Sequence, residues 1–163
     1  MKNKEIEKAL IETLNTCDLH LHRMTFAQAK IQEFMPLNLD TYNQLSEEAI
    51  GFLDQYIFRF SKLQDLMGNR LFTKTLEYLA EPIGDMAYID ILNRLEKLDV
   101  IQSADNWVQL RSIRNDVAHE YPSTIHEGIE AINILFTKKA VLETIIANCT
   151  SLLNRYGFNL VTD

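Results

Sequence analysis

One segment of the chain gathers groups that suit work on a phosphodiester: Arg114-Asn115-Asp116-Val117-Ala118-His119-Glu120-Tyr121, followed at once by Pro122. Arg114 is an always-charged phosphate binder whose planar fork can hold two oxygens. His119 titrates near neutral pH and can take or give a proton. Tyr121 adds a phenol. RNA carries its own nucleophile, the 2′-hydroxyl. Cleaving it takes a base for that proton, an acid for the leaving 5′-oxygen and a cation for the charge that builds on phosphorus. A metal is not required for this, and the sequence shows no clustered carboxylates or Cys/His spacing typical of a metal site. No metal or other cofactor is expected.

The elements must bring these groups together, and helical geometry only partly does so. Arg114 and His119 are five residues apart, about 500° around an ideal helix, so they diverge by about 140°. Asn115 and His119, four apart, share a face, and Arg111 joins it four residues before Asn115. Arg111, Asn115 and His119 therefore form a polar stripe, with Arg114 beside it and Leu110, Ile113 and Val117 on the buried side. Asn115 can orient the His or the phosphate. Pro122 restricts Tyr121 and favours a helix end there, so the last turn can be irregular. Two copies of the stripe facing each other in a symmetric dimer would double the local positive charge and make a phosphate cleft.

The surrounding sequence reads as helix. Apolar residues recur at three and four, and no segment shows strand alternation. Ile6, Leu10, Leu14, Cys17, Leu21, Met24, Ile31 and Phe34 suggest one long helix, or two in line with a break near Thr25, and Pro36 to Asp40 reads as a loop. Ser46 caps a second long stripe, Ile50 to Leu71 and on toward Leu79, with Glu47 and Glu48 in its first turn. Gly68 interrupts that stripe at a cost of about 1 kcal/mol against Ala, unless another backbone must come close. A short helix from about Met86 to Leu98 follows, then one from Ala104 to Glu120 capped by Ser103. Thr124 and Glu127 have a capping-box pattern, and Gly157 suits a left-handed cap on the last helix. The expected fold is all-α: one domain over residues 1–163, an antiparallel bundle of four to five helices with short loops.

Composition bounds the function. The chain has 163 residues, 47% hydrophobic and 24% charged, with five Gly and three Pro. That is one domain's worth, able to bury a core without staples. No run of about 18 apolar residues could span a membrane, and the N-terminus lacks a signal-peptide core. Cys17 and Cys149 fall in apolar phase and read as packed, reduced thiols of a cytoplasmic protein. The net charge of −7 argues against a broad, non-specific nucleic-acid binder but leaves room for a local positive cleft. Arg59 and Lys62, with Arg70 further on, could line that cleft or form a solvated face. His20 and His22 point to different sides of their helix and make a poor metal pair. Trp107 is expected in the core.

The string RNDVAHEY resembles the signature of HEPN-domain proteins, an Arg, a polar residue, three spacers and a His, here extended by a spacer and Tyr. The extended form is similar to that of the HepT-like toxins encoded beside small nucleotidyltransferase antitoxins of the MNT type. The resemblance rests on this one motif, with a helical chain of suitable length around it. It implies a HEPN-like bundle that dimerises around the motif and cleaves RNA without metal. Arg114 and His119 would be its catalytic pair, Asn115 its variable polar position, and Tyr121 the residue to which a cognate antitoxin can attach AMP. Some proteins of that kind do not cleave RNA and instead bind nucleotides or serve as substrate-binding partners of a nucleotidyltransferase. Asp116 and Glu120 lie inside the motif and are candidate partners for Arg114 or Arg111.

Overall fold

The computed structural model describes residues 2–118 and 124–160. Every regular element in them is helical: α1 (Lys2–Ile31), a 3-10 turn (Gln32–Phe34), α2 (Leu39–Asn43), α3 (Glu47–Leu66), a π-helical turn (Met67–Leu71), α4 (Phe72–Tyr78), α5 (Tyr88–Lys97), α6 (Ala104–Ala118) and α7 (Ile125–Arg155). α3, the π turn and α4 follow one another without a break and form one rod. The bundle thus has four long rods, the shorter α5 and the single turn of α2.

α1 runs through Thr25 without interruption, and the Thr25 hydroxyl donates to the Leu21 carbonyl within the helix. The loop expected at Pro36 to Asp40 is shorter than that. Asn38 and Thr41 cap each other and start α2 at Leu39. Further expected caps are present. The Ser46 side chain accepts from the Ala49 amide at 3.1 Å, and Thr124 accepts from the Glu127 amide at 3.2 Å. Each satisfies an amide that the first turn leaves without a partner. At the far end of α7, Gly157 has φ +93°, and the Phe158 amide donates back to the Leu153 carbonyl at 3.1 Å. This is the left-handed cap read from the sequence, with the Phe158 ring buried behind it.

α1 and α3 make the most extensive helix pair, and α6 packs against both α3 and α7. The core is a single cluster that includes Leu10, Met24, Phe60, Leu71, Trp107 and Leu153. Tyr56 is 1% exposed, and its hydroxyl is satisfied by the Leu135 and Phe136 carbonyls of α7. Cys17 and Cys149 are buried free thiols, not joined in a disulfide. Burial pushes both thiols up to about 12, which keeps them neutral and unreactive. No helix among the described residues is long and apolar enough to cross a membrane.

The π turn explains Gly68. A Cβ built there would lie 2.6 Å from the Tyr88 hydroxyl. The close neighbour is therefore a side chain of α5, where the sequence reading had allowed for a backbone. The Trp107 indole donates to the same hydroxyl at 3.1 Å, so the glycine, the tyrosine and the tryptophan lock α5 and α6 onto the widened turn.

Candidate functional site

The site is built on the last two turns of α6 and the end of α3. From Trp107 to Arg114 is seven residues, about two helical turns, so both side chains share a face. That face is the buried one. Ala104, Trp107, Leu110 and Arg114 are the buried residues of α6, and Arg114 is only 6% exposed. The sequence reading placed Arg114 beside the polar stripe and gave the buried side to Leu110, Ile113 and Val117. Leu110 is buried as expected, but Ile113 and Val117 are half-buried. Arg114 takes the inner position because α3 supplies a carboxylate to receive it.

That carboxylate is Asp65. The Arg114 Nη2 donates to Asp65 Oδ1 at 2.8 Å, linking positions 49 apart in the chain. The partnership is asymmetric: the arginine side chain is 7% exposed and the aspartate 45%. Arg114 Nε is buried and has no partner among the described residues. One Asp65 oxygen occupies one of the five N–H donors of the guanidinium. Asp65 therefore holds the cation in place without saturating it. The neighbouring Gln64 is 1% exposed, and both polar atoms of its side chain lack partners among the described residues. Gln64 is thus a buried amide at the end of α3, next to the carboxylate that receives Arg114.

Arg111, one turn before Asn115, is half-buried and lies with its guanidinium 5.6 Å from the centre of the Tyr88 ring. Asn115 is half-buried and Asp116 exposed. Asp116 was a candidate partner for Arg114, and Asp65 fills that role instead. His119, Glu120, Tyr121 and the Pro122 helix stop lie outside the described residues. The described helix ends at Ala118, directly before His119. No group of three or more His, Cys, Asp or Glu among the described residues is placed to hold a metal ion.

Two grooves flank this region. One of about 480 Å³ runs between α6 and α7, with Trp107, Leu110, Ile113, Val141 and Ile145 in its walls. The other, about 560 Å³, lies beside the end of α6, between Tyr42, Ile57, Val117, Ile125 and Ile129. Both are mainly apolar, and Lys138, in the first, is the one cation that lines either among the described residues, short of the cluster a phosphate cleft needs.

Away from α6, the Arg59 Nη1 donates to His20 Nδ1 at 3.2 Å across the α1/α3 pair. Arg59 and Lys62 both lie close to the exposed Phe58 ring. Arg70 is not part of that group, because it pairs with Glu12 at 3.5 Å. His20 and His22 do not share surroundings, His20 being half-buried and His22 exposed.

Asp65 and Tyr88 are the residues that sequence reasoning missed. Neither has a local signal. Asp65 looks like one more acid on an amphipathic helix, and only the packing of α6 on α3 reveals its partner. Comparisons of the chain with protein-family models, curated proteins and solved structures each found no match.

Proposed function

We propose that this chain is a metal-independent endoribonuclease of the HEPN kind, acting as the toxin of a pair with a nucleotidyltransferase antitoxin of the MNT type. The observation that carries this reading is the state of Arg114. The guanidinium that opens the RNDVAHEY motif, five residues before His119, is buried, fixed by Asp65, and left with an Nε donor that no described residue uses. Preorganised cations of this kind cost no reorganisation when charge develops on a phosphate.

In this reading His119 accepts the 2′-hydroxyl proton. The 2′-oxygen forms a bond to phosphorus, the P–O5′ bond breaks, and a proton goes to the departing 5′-oxygen. The products are a 2′,3′-cyclic phosphate and a 5′-hydroxyl. A second copy would bring its own His119, so that one imidazole serves as base and the other as acid. Arg114 neutralises the phosphorane, while Asn115 and Arg111 orient and attract the strand. A homodimer around α6 thus accounts for a motif whose Arg and His diverge within one helix. AMP attached to Tyr121 by the antitoxin would bring a phosphate charge to the same cleft and oppose RNA.

The burial of Arg114 favours a second reading. A guanidinium that is 7% exposed and paired with a carboxylate can be a structural tie. The chain would then be a non-catalytic nucleotide- or substrate-binding partner of a nucleotidyltransferase. Growth separates the two. The ribonuclease reading expects expression to arrest growth, with His119→Ala and Arg114→Ala each restoring it. Harmless wild-type protein that leaves RNA intact in EDTA would exclude that reading. Mass spectrometry after co-expression with a cognate nucleotidyltransferase tests the modification, and an unmodified Tyr121 would remove it.

A further inference from the structure

The α1/α3 pair carries a surface that the motif does not account for. Phe58 is 53% exposed on α3, and Phe26 is 51% exposed on α1. Each ring is accompanied by cations. The Arg59 guanidinium lies 5.6 Å and the Lys62 ammonium 5.5 Å from the centre of Phe58. Lys30 lies 5.4 Å from Phe26 and 5.9 Å from Phe52, and these two rings meet edge-on at 5.9 Å. Arg23 is exposed between the two groups, and its carbonyl accepts from Gln55 of α3.

Carboxylates border this face, with Asp54 four residues before Phe58 and Asp65 three after Lys62, but among the described residues none forms an ion pair with its cations. Asp18 is two residues from His20, about 160° around α1. Asp54 is about 140° from Arg59 around α3 and lines the apolar groove on the other flank. Glu12 is taken by Arg70. The ion pairs found elsewhere use Arg70, Lys74, Arg94, Arg114 and Lys139, and none of the cations of this face. On a chain of net charge −7, this is a local positive strip with aromatic rings set into it. His20, at its centre, is held below its ordinary imidazole value by burial, then by the charges of Arg59 and Lys62.

We propose that this face is a track for single-stranded RNA, with Arg23, Lys30, Arg59 and Lys62 on its phosphates and the Phe58 and Phe26 rings under its bases. Exposed rings with a cation beside each match the alternation of base and phosphate in an unpaired strand. A duplex offers no free base faces, and an acidic protein segment would use the cations without needing the rings. The track leads to the candidate site. Phe58, Lys62 and Asp65 are spaced four and three apart along the outer side of α3, so they share a ridge about 10 Å long. That ridge ends at the partner of Arg114. The choice of RNA over DNA rests on the ribonuclease reading. The strip itself does not.

The test is binding of a 5′-fluorescein-labelled 15-residue oligouridylate, followed by fluorescence anisotropy in EDTA. The full-length protein is used with His119→Ala, so that the probe survives. The double variant Arg23→Glu/Lys62→Glu is expected to weaken binding at least tenfold. It should also flatten the dependence of log affinity on log salt by about 1.4, the value for two lost phosphate contacts on a single strand. Phe58→Ala is expected to weaken binding about tenfold, within the range for one lost stacked base, at an unchanged salt slope. All three positions are exposed, and circular dichroism and Tm confirm folding. Absence of binding, or binding unchanged in both variants, overturns the track. So does a loss of self-association in Arg23→Glu/Lys62→Glu with RNA affinity unchanged, because the strip would then be a contact between copies. If the oligonucleotide binds through these residues but wild-type protein never cuts it, the track stands and the ribonuclease reading falls.

Discussion

Arg114 and Asp65 form a pair in which one side depends more on the other. Arg114 cannot lose its charge, so removing Asp65 strands a buried cation. Asp65→Ala should destabilise the fold by about 2 kcal/mol, below the ~3–5 kcal/mol of a fully buried pair because Asp65 is half in solvent. Urea unfolding reads this directly, and an unchanged midpoint would show that the pair is ornamental. His20 offers a second check at this scale. Its pKa is lowered, so the folded state keeps it neutral where the unfolded chain begins to protonate. As pH falls from its ordinary value of 6.5 toward the lowered folded value, the unfolded state binds the extra proton and stability drops. NMR titration should place His20 below 6.5, and His20→Gln should remove that part of the acid sensitivity. A His20 titrating at or above 6.5 would contradict the arrangement with Arg59 and Lys62.

Helices were the most legible level. The three-and-four apolar spacing, the Ser46 and Thr124 caps and the Gly157 terminator each depend on neighbours within a few residues, and each is where the sequence puts it. What the sequence could not show was contact between elements. Arg114 reads as a surface cation because nothing within α6 draws it inward, and its partner is on α3. Gly68 announced a close approach, but its neighbour came from α5. The π turn concentrates this lesson. A wider turn at Met67–Leu71 sets α4 on a new phase relative to α3, and Tyr88 fills the space that a side chain at position 68 would need. Gly68→Ala should cost about 1–3 kcal/mol by overpacking. In a Tyr88→Phe background the hydroxyl is gone, and the remaining ring carbons, 3.6 Å away on Trp107 and 3.7 Å away on residue 88, are ordinary contacts. The same substitution should then cost under about 1 kcal/mol, and a double-mutant cycle on thermal unfolding measures the difference. Equal costs in both backgrounds would mean that the strain lies in the backbone.

At the scale of the molecule, an acidic helical bundle has to assemble any phosphate site locally. The buried Arg114, the Arg111–Tyr88 contact and the cation-and-ring strip on α1/α3 are three places where positive charge is held by specific neighbours. On an ideal helix the five-residue spacing sets Arg114 and His119 about 140° apart, so the account expects two copies at the site. Analytical ultracentrifugation should find a dimer, and a stable monomer with full activity would remove the composite cleft.

The most direct test of the central claim is cleavage of a single-stranded oligoribonucleotide by the purified protein in EDTA. The account predicts products ending in a 2′,3′-cyclic phosphate and a 5′-hydroxyl. It predicts no cleavage when the scissile nucleotide lacks its 2′-hydroxyl, and a loss of at least about 100-fold in His119→Ala, the lower range for a proton-transfer group. Intact RNA, or cleavage that His119→Ala leaves unchanged, would contradict it.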